Sequence, residues 1–537
     1  MKKNSFIEGS FIATLGIIIC KVIGLLYVIP FYAMISNQGA ALYSYAYSIY
    51  AVFLSLSTSG IPIAMSKLVS EYNSLGYNYT KEKIYKLGNI IITTLGTFFF
   101  ILLFVIAPFI SSFILGKATG GNSVEDITLV IRIVAFSLLI VPSLSVMKGY
   151  YQGHKFITPP SISNVIEQLV RVIVIITGCY ISLNILHLKE SIAIAISVFA
   201  ATVGAISALA YLYLKRKKNI ADFNTKASKL KEEAKFTTKY LIKQILLLAL
   251  PFIIVDVLKS SYNLVDTLTV VRTLTDMGYS SEVAETAFSV IGTWGSKLSM
   301  IIISISMGIS TSLIPNIAAD FIRKKQIPLN YKINQAISSL LFFTIPATAG
   351  IFLLARPVWI IFYGYNELCI EVFRCFIIQS ITFSLITILI NILQTTNKNK
   401  TAVIVLLISF IANAILNIPM MYLCEKIGLG GYQGASVATL LTQIFPCIYL
   451  LYYLKKYLNL NYKKTIINVT KTIIITSIMI VSILILSLVF KIDAISRIDA
   501  IIETTLYTIF GSLIYLFFAY KSGLLKDILG SKLKIRD

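Results

Sequence analysis

Four polar side chains interrupt a stretch that is otherwise typical of a membrane helix. Residues 250–274 read LPFIIVDVLKSSYNLVDTLTVVRTL and include Asp256, Lys259, Asn263 and Asp266. Their spacing places all four on one face of a helix. Because charge inside a membrane span is costly, such a face usually borders protein, water or substrate. The pattern predicts that Lys259 and Asn263 bind substrate, while Asp256 and Asp266 are structural or coupling charges.

Two more lysines stand deep in apolar stretches. Lys21 and Lys297 have no acid one turn away on their own helix, which favours contact with substrate. Ser48 lies among hydroxyl groups on the neighbouring stretch and is also predicted to bind substrate. For Lys259, neutralisation by the aspartates of its own helix remains an alternative. Since lysine can hold phosphate as a point charge, we predict a central aqueous cavity suited to an anion and lined by Lys21, Lys259 and Lys297.

A third charged pattern occurs in SNVIEQLVRVIVII. Glu167 and Arg171 are four residues apart, the spacing of an ion pair on one helix face. The spacing favours a structural pair, or one that braces a neighbouring helix, over direct contact with substrate.

The composition shows which elements must position these residues. Of 537 residues, 57% are hydrophobic and 13% are charged, and the mean hydropathy is +0.83. Soluble domains usually carry about a quarter charged residues. Continuous apolar runs of about 20 residues recur, each able to cross a bilayer as a helix. We predict an all-α integral membrane protein with fourteen transmembrane helices, near 6–35, 41–65, 87–115, 127–151, 157–183, 190–214, 240–272, 286–318, 333–354, 357–395 with a break at Gly364 and Asn366, 401–423, 430–454, 466–490 and 499–520.

The net charge of +23 is concentrated in short loops and in both terminal segments, which argues against a nucleic-acid-binding protein. Placing the basic loops on the cytoplasmic side predicts that both termini of this multi-pass membrane protein lie in the cytoplasm. These loops are expected to contact anionic lipids. The six cysteines form no CxxC pair, and no Walker A motif is present, so neither a metal site nor an ATPase is indicated. The amino-terminal segment is predicted to be a first membrane helix and not a signal peptide.

Two short echoes indicate an internal repeat. STSGIP at 57–62 resembles STSLIP at 310–315, and APFISSFILG resembles ARPVWIIFYG at a similar offset. We predict two six-helix lobes related by a pseudo-twofold axis along the membrane normal, with substrate between them. The predicted domains are an N-terminal lobe at 1–214, a basic cytoplasmic linker at 215–239, a C-terminal lobe at 240–454, and helices 13 and 14 with a basic tail at 455–537.

Several motifs resemble one family. KGYYQGHKFITPPSISNVIEQLVRVI at 148–173 resembles the segment after helix 4 in the stage V sporulation protein B-like group of oligosaccharide and lipid II flippases. LYSYAYSIYAVFLSLSTSGIPIAMSKLVSEY, NLVDTLTV and GLGGYQGASVATLL resemble its helices 2, 7 and 12. The resemblance extends over nearly the whole chain.

This resemblance implies the fold of the multidrug/oligosaccharidyl-lipid/polysaccharide (MOP) exporter superfamily. It implies flipping of an undecaprenyl-pyrophosphate-linked saccharide, above all the peptidoglycan precursor lipid II, across a bacterial plasma membrane by alternating access. Lys21 and Lys297 fall where family members have central arginines on helices 1 and 8, while the arginine of helix 2 has no basic counterpart. Helices 13 and 14 are expected to form a groove for the lipid tail.

Three alternatives remain open. The substrate could be another polyprenyl-linked unit, of a capsule, a teichoic polymer or the spore wall. A cation-coupled multidrug antiporter would share the superfamily, although Lys21 stands where an acid would be expected. A scaffold of the cell-wall synthesis machinery would not need the costly polar stripes. In each case we expect no enzyme and no cofactor. For a transporter, we expect Na⁺, H⁺ or the membrane potential as the driving force.

Overall fold

Long apolar runs become helices in lipid because each backbone amide and carbonyl must be hydrogen-bonded within its own segment. A computed structural model describes residues 6–116, 120–223, 233, 236–490 and 495–529, and this part contains helices and no strand. It has fourteen helices long and apolar enough to cross a membrane, which confirms the predicted number and fold class. In chain order they are α1 Ile12–Met34, α2 Asn37–Ser74, α3 Asn78–Leu115, α4 Val124–Gly153, α5 Thr158–Ile185, α6 Glu190–Lys218, α7 Thr238–Asp276, α8 Ser281–Ser310, α9 Gln326–Leu353, α10 Glu367–Thr395, α11 Asn399–Lys426, α12 Gly431–Leu458, α13 Lys463–Val489 and α14 Arg497–Lys521.

The predicted break before α10 is present and has a clear cause. A short helix at Ala355–Tyr363 ends at Gly364, whose φ of +85° suits glycine. The Asn366 side chain then accepts a hydrogen bond from the Cys369 amide at 3.1 Å and caps the start of α10. The break therefore follows from turn and capping residues that can be read directly in the chain.

Several predicted boundaries were wrong by more than one helical turn, and the starts of α3 and α8 show the reason. α3 begins at Asn78 instead of residue 87, because its polar first turns extend the helix beyond the apolar run. α8 begins at Ser281 instead of residue 286, and its helix continues to Ile322. Hydropathy marks the apolar part of a helix and misses polar turns at its ends.

The chain divides into two compact units that differ from the predicted lobes. The first comprises Met1–Thr275 and Ser280–Glu285, and the second comprises Asp276–Tyr279 and Thr286–Asp537. Helix α7, predicted to open the C-terminal lobe, thus belongs to the first unit. Its residue Ala249 is buried in the same apolar cluster as residues of α2 and α4, and the Ala249 carbonyl lies close against Gly60. The lobe boundaries at 1–214 and 240–454 remain a prediction from the repeat.

The predicted linker at 215–239 is anchored within the first unit at two points. Phe223 is fully buried among the rings of Tyr150, Tyr151, His154 and Phe156. Farther along, the Glu233 carboxylate accepts hydrogen bonds from the Thr80 amide and hydroxyl, each at 3.0 Å. Residues 224–232 and 234–235 of the linker, and the end of the basic tail at 530–537, lie outside the described residues.

In the second unit, the last two spans pack on the helices before α10. α13 contacts α9 and α14, while α14 contacts the short helix Ala355–Tyr363. The Tyr515 hydroxyl of α14 donates a 2.7 Å hydrogen bond to the Phe342 carbonyl of α9. The predicted lipid groove of this helix pair remains a prediction.

Candidate functional site

The polar stripe of α7 lies within one uninterrupted helix. Asp266 is 3% exposed, whereas Asp256, Lys259 and Asn263 are half-buried. Among the described residues, Lys259 has no hydrogen bond and no ion pair, and Asp256 acts on it electrostatically from one turn away. Neutralisation through a direct ion pair within α7, the alternative open at the sequence level, is therefore absent from this conformation.

Helix α1 positions Lys21 through two close approaches to α5. A Cβ atom built on Gly16 would lie 3.3 Å from the Ser161 Cβ, and one on Gly24 would lie 3.2 Å from the Gln168 Nε2. These glycines let the two helices touch. Lys21 lies between the two glycines in the chain and is half-buried. The contact places a cation of α1 beside the charged face of α5.

Ser48 has a different environment from the other predicted substrate ligands. It is 2% exposed, and its Oγ atom is buried without a hydrogen-bond partner among the described residues. In this conformation Ser48 belongs to the packing of α2, and its role in binding substrate remains a prediction.

The predicted pair of α5 is present and is part of a larger cluster. The Arg171 Nη2 lies 3.3 Å from the Glu167 Oε1, and the Lys148 Nζ of α4 lies 2.9 Å from the Glu167 Oε2. The carboxylate thus joins two neighbouring helices, as a bracing pair would. Lys148 was missed by the sequence analysis, because it precedes Glu167 by 19 residues and its span carries no partner for it. Its position directly before GYYQG, at the start of the quoted stretch 148–173, was the only available signal.

In the second unit, Lys297 follows an irregular turn of α8. A π-helical turn spans Val290–Trp294, and the Lys297 Nζ lies 5.7 Å from the centroid of the Trp294 ring. The Tyr363 hydroxyl donates a 2.8 Å hydrogen bond to the Trp294 carbonyl. π-helical turns are rare in proteins, and those that occur often lie at functional sites. Trp294 and Tyr363 were missed because hydropathy does not distinguish a π-helical turn from a regular one.

The first unit also holds a buried carboxylate, at a position that falls between the predicted spans 240–272 and 286–318. Glu285 is fully buried and accepts hydrogen bonds from the Asn122 amide at 3.1 Å and the Asn122 Nδ2 at 3.0 Å. The Tyr45 hydroxyl lies 3.5 Å from its other oxygen. These donors satisfy the carboxylate without a cation, which gives Glu285 a structural role in this conformation.

Comparisons with known proteins agree with this arrangement. The model of the polysaccharide biosynthesis protein family matches residues 6–285. The chain is 31% identical to the lipid II flippase MurJ of Bacillus subtilis (strain 168), over 99% of this chain and 98% of that protein. It is 24% identical to stage V sporulation protein B of the same organism, over 68% of each chain. The matches confirm the resemblance drawn from the quoted motifs.

Solved structures show the same fold. A lipid II flippase MurJ in an inward closed conformation matches with a TM-score of 0.69 at 18% identity, over 97% of this chain and 99% of that one. An inward-facing multidrug resistance MATE family transporter of the MOP superfamily matches with a TM-score of 0.64 at 12% identity, over 82% of this chain and 94% of the other. The predicted superfamily fold is therefore confirmed.

Proposed function

Because the chain belongs to the polysaccharide biosynthesis protein family, we propose that it is a flippase for an undecaprenyl-pyrophosphate-linked saccharide, and that this substrate is the peptidoglycan precursor lipid II. The observation that carries the proposal is the similarity to the lipid II flippase MurJ of Bacillus subtilis, which extends over 99% of this chain. All fourteen spans fall within the aligned length, including the last two.

The buried cations are suited to such a substrate. A pyrophosphate headgroup carries negative charge that must be compensated inside the membrane. We assign Lys21, Lys259 and Lys297 to this task, with Asn263 and Ser48 as hydrogen-bonding groups. The protein forms and breaks no covalent bond of the substrate; it exposes these groups first to the cytoplasmic side and then to the outer side.

The driving force is part of the proposal. Moving cationic groups across a membrane potential is worth about 2.3 kcal/mol per charge per 100 mV, and this energy returns the empty site to the inside. A Na⁺ or H⁺ bound near Asp256 or Asp266 is the alternative. We place both termini in the cytoplasm and assign the basic segments to contact with anionic lipids. The cell-wall synthesis machinery is the proposed protein partner.

Another polyprenyl-linked saccharide is the second candidate substrate. The 24% identity to stage V sporulation protein B favours a spore-wall unit. A capsule or teichoic unit is also compatible with the site, because it would share the lipid pyrophosphate. The likeness to a multidrug transporter supports the fold alone, because the identity is 12%.

The test is translocation of fluorescent lipid II in proteoliposomes by the parent protein and by the double variant K21A/K297A. The matched control K217A/K218A removes two exposed lysines from the end of α6. We expect flipping by the parent and the control and its loss in K21A/K297A. A well-folded parent that flips no lipid II under an imposed potential or a sodium gradient would overturn the lipid II assignment. Flipping by K21A/K297A at the parent rate would overturn the assignment of these lysines.

A further inference from the structure

The cluster between α4 and α5 holds more positive charge than its bracing role requires. Lys148 and Arg171 both bind Glu167, and the three side chains are 18%, 23% and 17% exposed. Among the described residues, neither cation lies within ion-pair distance of a second carboxylate. Two cations around one carboxylate leave a net charge of +1 in a half-buried position. A brace between two helices needs only one cation for each acid.

The cluster also has unused hydrogen-bonding capacity. The Arg171 Nε is buried and has no hydrogen-bond partner in the described part of the protein. Helix α6 meets the cluster at Gly204, which has no side chain that could accept a hydrogen bond. The contact is close, because a Cβ atom built on Gly204 would lie 2.6 Å from the Glu167 carbonyl and 3.3 Å from the Arg171 Cβ. A buried donor without a partner costs stability. Such a donor can bind an acceptor oxygen of a ligand.

The surroundings of the cluster add cationic and hydroxyl groups. Four charged groups act electrostatically on Cys20 of α1, namely Lys21, Lys148, Glu167 and Arg171. These four charges therefore lie around Cys20 in the first unit. Arg171 is also within electrostatic reach of three tyrosines of α2, which are Tyr43, Tyr47 and Tyr50. Guanidinium, ammonium and phenol groups are together the donors that a phosphate or a sugar phosphate requires.

We propose that Lys148 and Arg171 form a binding subsite for the pyrophosphate of the lipid-linked substrate, and that Glu167 occupies it as an internal counter-ion until the substrate arrives. This inference rests on the proposed function and adds a subsite on α4 and α5 to it. A pyrophosphate brings more negative charge than a carboxylate and several acceptor oxygens, so it can replace Glu167 on both cations. Glu167 then sets the affinity by competing with the substrate.

The experiment measures binding of a fluorescently labelled undecaprenyl pyrophosphate to the purified full chain in detergent. The variants are E167Q, which removes the competing charge, and K148M, which leaves the Glu167–Arg171 pair intact. The matched control is D320N, because Asp320 pairs with a single cation, Lys332, at 2.5 Å in the second unit. Unlabelled undecaprenyl pyrophosphate and phosphatidylglycerol serve as competitors.

We expect E167Q to bind about ten- to hundred-fold more tightly and K148M about ten-fold more weakly than the parent, as for the gain or loss of a hydrogen bond to a charged group. D320N should bind like the parent. If E167Q and K148M both bind like the parent, the subsite is wrong and the proposed function stands. If the parent binds no undecaprenyl pyrophosphate, the proposed function itself fails. Equal competition by phosphatidylglycerol would identify the ligand as a phospholipid headgroup and overturn the assignment to the substrate.

Discussion

The hydrogen bond from Tyr363 to the π-helical turn of α8 leads to a prediction about how Lys297 is held. The substitution Y363F removes the hydroxyl and keeps the ring, whose centroid lies 5.7 Å from that of Trp294 and 4.3 Å from that of Trp359. Only the bond to the Trp294 carbonyl is then lost from this set of contacts. We expect the turn to loosen and the support of Lys297 by the Trp294 ring to weaken.

The size of the effect follows from hydrogen bonds between membrane helices, which average about 0.6 kcal/mol and reach about 1.7 kcal/mol. This range corresponds to a factor of about 3 to 18 in the equilibrium between the ordered and the loosened turn. If Lys297 binds substrate only in the ordered turn, lipid II flipping should fall by up to the same factor.

Intrinsic fluorescence provides a direct assay, because the chain has two tryptophans and both are fully buried beside Tyr363. We expect Y363F to shift the emission to the red and to lower the midpoint of thermal unfolding. The control Y520F removes an exposed hydroxyl of α14 and should change neither quantity. Unchanged emission and unchanged flipping in Y363F would refute the reasoning. A red shift with full flipping would show that Trp294 does not position Lys297.

Two further predictions concern packing and buried charge, and both are measured by thermal unfolding in detergent. A Cβ atom built on Gly434 would lie 2.3 Å from the Met421 Cα, so G434A should push α12 from α11 and cost about 1–3 kcal/mol. G350A is the matched control, since nothing lies within 4 Å of the added atom. It should stabilise its helix by up to about 1 kcal/mol. Equal effects of the two substitutions would contradict the packing argument. The Arg216 Nη2 lies 2.9 Å from the Glu82 Oε2, and both side chains are largely buried, so R216A should cost about 3 kcal/mol by leaving a buried carboxylate without its cation. R216A/E82Q should recover most of that loss, and a double variant as unstable as R216A would rule out the unpaired charge as the cause.

The spans could be predicted because continuous apolar runs have one stable form in lipid. The count of fourteen is confirmed, and the break at Gly364 was visible as a glycine before an N-capping asparagine. The first turns of α3 were not visible, because the helix that begins at Asn78 continues in polar residues. Hydropathy reports where a helix meets lipid, and backbone hydrogen bonds decide where it begins.

The candidate site could be predicted only where one helix carries the whole pattern. The pair of Glu167 and Arg171 follows from a spacing of four residues. Lys148 joins it from another helix, and Tyr363 supports Trp294 from a separate segment. Contacts of this kind depend on how helices pack, which no spacing within a single span encodes.

The membership of α7 in the first unit has a consequence for how the protein is made. Six spans precede the basic linker, yet the buried cluster that contains Ile61 and Leu68 also includes Leu241, Ile245 and Ala249 of α7. A nascent chain that has released only the first six spans therefore leaves this cluster incomplete. The first unit can finish folding only after the seventh span has been inserted into the membrane. Its folding unit therefore comprises seven spans, although the predicted repeat comprises six.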